Sequence, residues 1–385
     1  MDDLESFRAI VLQDPDLQNR LLAVEEIGPF TQLLIGLARQ KGLDFTAGDV
    51  RWALDEARTS RSAPTGTKSL NLDGWIPYRI HWAPEPAAEW CRLDGIRFTE
   101  PFFELTMRRA MRHPFRLLFR HETPMEVLEE RLGSHPGIAP SGFIFHTSRC
   151  GSTLVSRMLA SSERNVVIAE GWPVDSVITA DVRHPEVTRE QRVRWLRAVI
   201  AALGQPRAGS EDRCFVKFDC WHALDLPLVR EAFPDVPWVF VYREPVEVLA
   251  SQLRMPAAWI VPGLMAIRSA PAAMLPIEYG AAVMANICEA ALRAMATGGG
   301  MLLHCRELPG AVLERLAAHF GCRFGDREAD TMRAAARQDA KNPHFRFAPD
   351  RARKQIEAPA HVRELADRVL ADVYRRLEAY RATSL

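Results

Sequence analysis

The feature that most constrains this chain is an apolar run that enters a turn rich in Ser, Thr and Gly and leaves it as a helix. The run spans residues 142–146, the turn reads TSRCGST at 147–153, and the helical pattern LVSRMLASS follows. Gly151 allows a tight backbone, and the first N–H groups of a helix have no partner within it. These N–H groups and the helix dipole favour an anion, and Arg149 adds a fixed charge. The turn is therefore predicted to bind a phosphate.

Further apolar runs repeat the order of strand and then helix. Residues 213–218 and 236–243 are strand-like, and MLLHCREL at 301–308 is another candidate strand before a helical stretch. Strands that alternate with helices build a mainly parallel sheet with helices on its faces. The predicted fold class is therefore α/β, and ligands are expected at the carboxyl ends of the strands.

Composition and charge exclude several classes of protein. Lys plus Arg and Asp plus Glu each number 49, and this balance argues against a nucleic-acid or membrane partner. No run reaches the roughly 18 apolar residues that a membrane span requires, and the acidic start MDDLE lacks the pattern of a secretory signal. Seven scattered cysteines without a CxxC pair favour reduced thiols over disulfides or a zinc site. A cytoplasmic location is expected.

The pattern along the chain predicts four segments. Residues 1–58 carry apolar residues at helical spacing and predict a small helical domain, and 59–72 are rich in Ser, Thr, Pro and Gly, as linkers are. Residues 73–135 form an aromatic-rich α+β segment, which is expected either to line an acceptor pocket or to supply core. Residues 136–385 form the α/β part, which is predicted to be the catalytic domain.

The turn differs from the phosphate loop of kinases, which reads G-x-x-x-x-G-K-[ST]. No Lys follows Gly151, and the position five residues before it is His146 instead of Gly. Binding of ATP with magnesium is therefore disfavoured.

Two segments resemble the donor-binding motifs of sulfotransferases. The turn resembles the family's 5′-phosphosulfate-binding loop, [PS]-[RK]-S-G-[ST]-T, with Cys in place of the usual Ser. The segment VFVYREPVEVLASQL resembles the 3′-phosphate-binding segment, in which a strand ends at Arg and a Ser lies eight residues on. The resemblance spans roughly residues 138–355 and implies a P-loop NTPase-like sulfotransferase fold. It implies that 3′-phosphoadenosine 5′-phosphosulfate is bound by Arg149, Cys150, Gly151, Ser152, Thr153, Leu154, Arg243 and Ser251.

Sulfuryl transfer needs a base for the proton of the acceptor hydroxyl and positive charge where the leaving oxygen gains charge. Glu170 is the first candidate base, because the layout resembles the protein-tyrosine and trehalose branches, which carry a Glu just after the second strand. Asp219 is the second candidate, since it stands where the phenol and steroid enzymes carry a catalytic His. Lys217, in a chain with only five lysines, and Arg149 are expected to neutralise charge, and no metal is required.

The segment DAKNPHFRFAPDRARKQ resembles the family's final loop, which closes over the nucleotide. This version lacks the usual Gly-rich form. The resemblance implies that Lys341 lies near the 3′-phosphate, and a basic surface turn is the alternative.

The first fifty residues resemble the nitrogen-fixation-associated (Nif-eleven-type) leader-peptide domain. They share its F…DP-LQ-L opening and its G-DFT-D close. That family forms leader segments on precursors of ribosomally made peptides and also occurs fused to other proteins. An unrelated small helical bundle is the alternative.

These features predict a cytosolic, bacterial-type sulfotransferase with a hydroxyl-type acceptor, either a small molecule or a ribosomally made peptide with its leader. Two other functions stay open. A P-loop kinase predicts magnesium-dependent binding of ATP. A non-catalytic nucleotide- or peptide-binding module predicts donor binding without turnover.

Overall fold

The structure is a computed structural model that describes residues 2–59, 71–267, 274–342, 345–346 and 351–383. The predicted linker at 59–72 therefore lies outside the described residues, except at its ends. The chain divides into two compact units. The first comprises 1–97, 104–137 and 198–209, and the second comprises 98–103, 138–197 and 210–385.

The described helices and strands follow the chain in this order: α1 (Asp2–Gln13), α2 (Pro15–Leu22), α3 (Ile27–Gln40), α4 (Ala47–Thr59), β1 (Trp75–His81), β2 (Ala87–Arg92), α5 (Phe103–Ala110), α6 (Pro114–Leu118), β3 (His121–Pro124), α7 (Met125–Ser134), β4 (Pro140–His146), α8 (Ser152–Ala160), β5 (Asn165–Ala169), α9 (Trp172–Ile178), α10 (Ala180–Arg183), α11 (Arg189–Leu203), β6 (Arg213–Lys217), α12 (Leu226–Ala232), β7 (Trp238–Tyr242), α13 (Pro245–Arg254), α14 (Pro276–Met295), β8 (Gly300–His304), α15 (Ala317–His319), α16 (Asp326–Ala336), α17 (Arg351–Glu357) and α18 (Ala360–Thr383). Short 3₁₀ helices occupy Cys220–Asp225, Ala258–Ile260 and Cys305–Glu307, and a π-helical turn occupies Val312–Leu316.

The first unit combines helices α1–α4 with an antiparallel sheet in the order β1-β2-β3. Gln18 on α2 joins the two parts, because its side-chain oxygen accepts from Trp75 Nε1 at 3.3 Å and from Arg92 Nη1 at 2.7 Å. Several rings of the predicted aromatic segment are fully buried, including those of Trp90 and Phe115. These rings supply the core of this unit.

The second unit contains a five-stranded parallel sheet in the order β5-β6-β4-β7-β8, with helices packed on it. Strands β5, β6 and β7 are buried along their whole length, because helices cover both faces of such a sheet. The prediction of an α/β fold with a mainly parallel sheet is confirmed.

The strand order of this sheet determines where a ligand can bind. The chain starts at β4, moves to β5 and β6 on one side, and then crosses to β7 on the other side. A crevice opens where the connections of a parallel sheet diverge in this way, outside the carboxyl ends of the strands. The loops after β4, β5, β6 and β7 meet at this edge.

One glycine shows how closely the sheet is packed. A Cβ added at Gly142 on β4 would lie 2.5 Å from the ring of Phe320. The absence of a side chain therefore lets Phe320 reach the sheet, where its ring packs 5.7 Å from that of Phe215. Within the described part of the chain, every helix is too short or too polar to cross a membrane.

Candidate active site

The predicted phosphate loop connects β4 to α8 and has an unusual backbone. Three non-glycine residues within the described ranges have left-handed φ angles, and two of them are Ser148 (65°) and Arg149 (51°). The third is Glu170, at 55°, after β5. Gly151 is also left-handed at 92°, where only glycine fits without strain. Such strained backbone clusters at functional sites, and here all of it lies at one end of the sheet.

Hydrogen bonds to residues at the end of β4 and in and just after α13 hold this loop in shape. The Ser148 N–H donates to His146 Nδ1 at 2.9 Å, and Arg149 Nη2 donates to the carbonyl of Met255 at 2.8 Å. Gln252 Nε2 lies 3.4 Å from Ser148 Oγ. The loop is therefore braced by the end of β4 and by the region of α13.

A cavity of about 710 Å³ opens above the loop, and we call it the central cavity. All but one of the predicted site residues line it: Arg149, Cys150, Gly151, Ser152, Thr153, Leu154, Glu170, Asp219, Arg243, Ser251 and Lys341. The remaining one, Lys217, is buried at the end of β6 and forms an ion pair with Glu170. The structure thus brings together residues that span almost two hundred positions of the sequence.

Glu170 lines the central cavity and is paired with the buried ammonium of Lys217. Burial raises the pKa of Glu170, but the charges of Lys217 and His146 lower it more, to about 2. His146 Nε2 lies 3.6 Å from Glu170 Oε1. Glu170 is therefore a stable carboxylate that binds protons weakly near neutral pH.

Asp219 lies near this pair, but its pKa is shifted in the opposite direction. Burial raises the pKa of Asp219, and the nearby charge of Glu170 raises it further, to about 7. Its side chain is 14% exposed and lines the central cavity. A carboxylate with a pKa near 7 can take a proton and release it again at neutral pH.

Lys341 also lines the central cavity and lies near Phe102. The Phe102 ring centroid is 5.2 Å from Lys217 Nζ and 5.8 Å from Lys341 Nζ. Burial lowers the pKa of Lys341 to about 8, and the charges of Arg149 and Lys217 contribute to the decrease. Lys341 therefore adds positive charge near the Glu170–Lys217 pair. The resemblance had implied a different place for it, near the 3′-phosphate.

Arg243 follows β7 and is held in a fixed orientation. Its Nε donates to Glu247 Oε2 at 2.5 Å, and its Nη1 lies 3.4 Å from the carbonyl oxygen of Arg149. Gln355 on α17 donates to the other oxygen of Glu247 at 3.0 Å. Ser251, one turn further along α13 than Glu247, is buried and also lines the central cavity.

Sequence reasoning missed four residues of the site: Phe102, His146 as a brace, Arg254 and Lys354. Lys354 is buried, lines the central cavity and precedes Gln355, which contacts Glu247. The scarcity of lysine was the available signal, since three of the five lysines lie at this site.

Positive charge predominates around the central cavity. Of the described residues that line it, six are basic and four are acidic: Arg149, Arg243, Arg254, Arg306, Lys341 and Lys354 against Glu170, Asp219, Glu247 and Asp339. Burial lowers the pKa of Arg149, and the nearby charge of Arg254 lowers it further. A bound anion would relieve this repulsion, so the cavity is suited to an anionic ligand.

Asp219 belongs to a cluster of three side chains. Donor atoms of Asp175, Asp219 and His222 are within 4.8 Å of one another, a spacing that a metal ion could bridge. Hydrogen bonds also account for this arrangement, because His222 Nε2 lies 2.8 Å from Asp175 Oδ1 and the Trp221 indole donates to that oxygen at 2.9 Å.

Comparison with known proteins gave matches among solved structures alone. No protein-family model matches the chain, and no curated protein matches it. The sulfotransferase domain of the Synechococcus PCC 7002 olefin synthase is 16% identical, with a TM-score of 0.36, over 63% of this chain and 95% of its own. A sulfotransferase from Mycobacterium tuberculosis is 13% identical (TM-score 0.40; 66% and 83% covered). One from Alicyclobacillus acidocaldarius is 16% identical (TM-score 0.40; 63% and 96% covered).

Proposed function

We propose that this chain is a sulfotransferase that moves a sulfuryl group from 3′-phosphoadenosine 5′-phosphosulfate to a hydroxyl acceptor. One observation carries the proposal. A single cavity is lined by a braced phosphate loop, by a fixed arginine and a buried serine, and by a carboxylate that is paired with a buried lysine. The first two suit the two phosphate positions of such a donor, and the third suits the reacting group.

Different groups of the chain would bind the two phosphates of the donor. The N–H groups of the loop, together with Arg149, would hold the 5′-phosphate, because the start of α8 offers unpaired donors and a favourable dipole. Arg243 and Ser251 would hold the 3′-phosphate through charge-assisted and hydroxyl hydrogen bonds. The second phosphate position separates this donor from ATP, which carries none on its ribose.

The reacting group would lie near Lys217 and Lys341. In sulfuryl transfer the acceptor oxygen forms a bond to sulfur while the bond from sulfur to the 5′-phosphate oxygen breaks, so negative charge grows on the leaving phosphate. Both ammonium groups lie near the Phe102 ring, 5.2 Å and 5.8 Å from its centroid. Fixed charges at such a position stabilise the transition state without any reorganisation.

The proposal is tested by measuring transfer of the sulfuryl group from the donor to an acceptor. The full chain is incubated with the labelled donor and with 2-naphthol, 1-octanol or a tyrosine-containing peptide, and products are identified by mass. A gain of one sulfuryl group on an acceptor, matched by release of adenosine 3′,5′-bisphosphate, is expected. Transfer of a phosphoryl group from magnesium-ATP to the same acceptors, with no sulfuryl transfer, would contradict the proposal.

The acceptor we propose is a ribosomally made peptide, because the first fifty residues resemble a leader-peptide domain. The same assay compares peptides that carry Ser, Thr or Tyr with small phenols and alkanols. Peptides are expected to react faster at equal concentration. Equal rates on unrelated small alcohols would exclude a peptide-specific acceptor site.

Lys341 gives a prediction about pH. Because its pKa lies at about 8, its ammonium loses the proton as the pH rises through that value, and one positive charge leaves the cavity. Affinity for adenosine 3′,5′-bisphosphate is therefore expected to fall by up to about tenfold between pH 7 and pH 9. Calorimetric titration across this range measures the effect.

A matched pair of variants isolates that lysine. Lys341→Arg keeps the charge at every pH tested, so its affinity should change much less. Lys41→Arg, at the exposed end of α3, should behave as the wild type does. An unaltered pH dependence in Lys341→Arg would show that another group is responsible.

A further inference from the structure

Asp219 lies against two side chains that the binding of a donor does not require, the buried His222 and the partly exposed Asp175. His222, in the 3₁₀ helix that follows β6, is 1% exposed, and its Nε2 lies 2.8 Å from Asp175 Oδ1. Asp175 lies on α9 and also accepts from the indole of Trp221. Two acidic side chains therefore flank one buried imidazole, and one of them, Asp219, reaches the central cavity.

The hydrogen bonds determine which ring nitrogen carries the proton when His222 is neutral. The backbone N–H of Asp219 donates to His222 Nδ1 at 3.2 Å, so Nδ1 acts as an acceptor. Nε2 then carries the proton and donates to Asp175. The Asp219 carboxylate lies 4.0 Å from Nδ1, close enough to respond to the charge of the ring.

We propose that Asp219, and not Glu170, takes the proton of the acceptor hydroxyl, and that the His222–Asp175 pair, of which only His222 is buried, acts as a positioning unit that orients Asp219 and sets the charge beside it. This inference rests on the proposed sulfotransferase function.

Geometry separates the two candidate bases. Glu170 is engaged by the buried Lys217 ammonium and faces His146, so a proton on Glu170 would break an ion pair. Asp219 has no such strong partner among the described residues, since its nearest cationic group is the imidazole 4.0 Å away. Protonation of Asp219 would relieve repulsion between neighbouring carboxylates, whereas protonation of Glu170 would leave Lys217 unpaired.

Four groups face Asp219 and act in two directions. The carboxylates of Glu170 and Asp175 favour a proton on Asp219, and the cations of Lys217 and His222 oppose it. Burial lowers the pKa of His222, while the hydrogen bond to Asp175 and the charge of Asp219 raise it more, so that it lies above its usual value. The two members of the positioning unit therefore act in opposite directions on the pKa of Asp219: the charge of Asp175 raises it and the charge of His222 lowers it.

The step balances without any further reactant. The acceptor oxygen attacks sulfur, its proton passes to an oxygen of Asp219, and the electron pair of the breaking S–O bond stays on the 5′-phosphate. Asp219 then returns the proton to water, to which its side chain is partly open. Glu170 keeps the Lys217 ammonium in place throughout.

Two isosteric variants of the full chain distinguish the bases. Asp219→Asn and Glu170→Gln are compared with the wild type for release of adenosine 3′,5′-bisphosphate, with 2-naphthol, 1-octanol, a tyrosine-containing peptide or water as the acceptor. Asp219→Asn is expected to lose about 100-fold or more in kcat and to lose the acid limb of the pH profile of kcat/KM. Glu170→Gln is expected to keep an acid limb. The reverse pattern would overturn the inference.

His222→Gln tests the positioning unit. Gln can accept from the Asp219 N–H and donate to Asp175, but it cannot become charged. Since the charge on His222 lowers the pKa of Asp219, its loss should move the acid limb to higher pH by about one unit. His184→Gln, a partly exposed control, should not move it. If His222→Gln lowers stability but leaves the acid limb of the pH profile at the same pH, His222 has only a structural role. The proposal that the positioning unit acts on Asp219 would then be overturned.

The remaining outcomes are also decisive. Failure of the wild type to bind adenosine 3′,5′-bisphosphate would remove the proposed function itself. Binding without release from any acceptor, water included, would overturn the inference, because no proton would then be transferred. Activity that chelators abolish and Zn²⁺ or Mn²⁺ restores would instead assign Asp175, Asp219 and His222 to a metal ion.

Discussion

Arg243→Ala is expected to weaken the binding of adenosine 3′,5′-bisphosphate by about 100-fold or more, while binding of adenosine 5′-phosphate changes little. The guanidinium is already oriented by Glu247, so a 3′-phosphate would meet a fixed, charge-assisted donor. Removal of one partner from such a buried charged contact typically costs several kcal/mol. Isothermal titration calorimetry on both ligands measures the difference.

Two controls accompany this variant. Arg375→Ala removes the same charge from an exposed position on α18 and should leave both affinities unchanged. Arg243→Gln retains a donor toward Glu247 and keeps the experiment informative if the Ala variant is unstable. Equal loss of affinity for the two ligands would show that Arg243 does not contact a 3′-phosphate.

Lys217→Met is expected to lower kcat by about 100- to 1000-fold, because it removes the positive charge paired with Glu170, near which the leaving oxygen of the proposed donor would gain charge. It should also lower the free energy of unfolding by about 3 kcal/mol, since Glu170 would lose its partner in a largely buried position. Product release and denaturant unfolding measure the two effects.

The double variant Lys217→Met/Glu170→Gln separates these effects. It leaves no unpaired carboxylate, so most of the lost stability should return while kcat stays low. If activity returns together with stability, Lys217 acts in folding and not in the reaction.

The local patterns of the sequence predicted much of the fold. The apolar runs before residues 147, 170 and 219 became β4, β5 and β6, and each predicted site residue near a strand end lies at the same edge of the sheet. This succeeds because parallel strands place their carboxyl ends together whatever the details of packing. The left-handed backbone at Ser148 and Arg149 could not be predicted in this way, because it depends on braces from His146 and Met255.

Long-range packing accounts for the residues that sequence reasoning missed or placed differently. Phe102 belongs to a segment rich in aromatic residues, and nothing in its local pattern distinguishes it from the core rings around it. Lys341 and Lys354 belong to one basic segment of the sequence, yet they line different parts of the central cavity. Lys341 lies near Phe102, and Lys354 is next to Gln355, which contacts Glu247. Nor does the sequence show that Asp219 is backed by Asp175, since the two are 44 residues apart.

The measurement that tests the central claim most directly is a calorimetric comparison of three ligands on the wild-type chain: adenosine 3′,5′-bisphosphate, adenosine 5′-phosphate and magnesium-ATP. The arrangement of the phosphate loop, Arg243 and Ser251 predicts that the bisphosphate binds most tightly and needs no magnesium. Preference for magnesium-ATP, or equal affinity for the bisphosphate and the monophosphate, would contradict a donor site built for two phosphate groups.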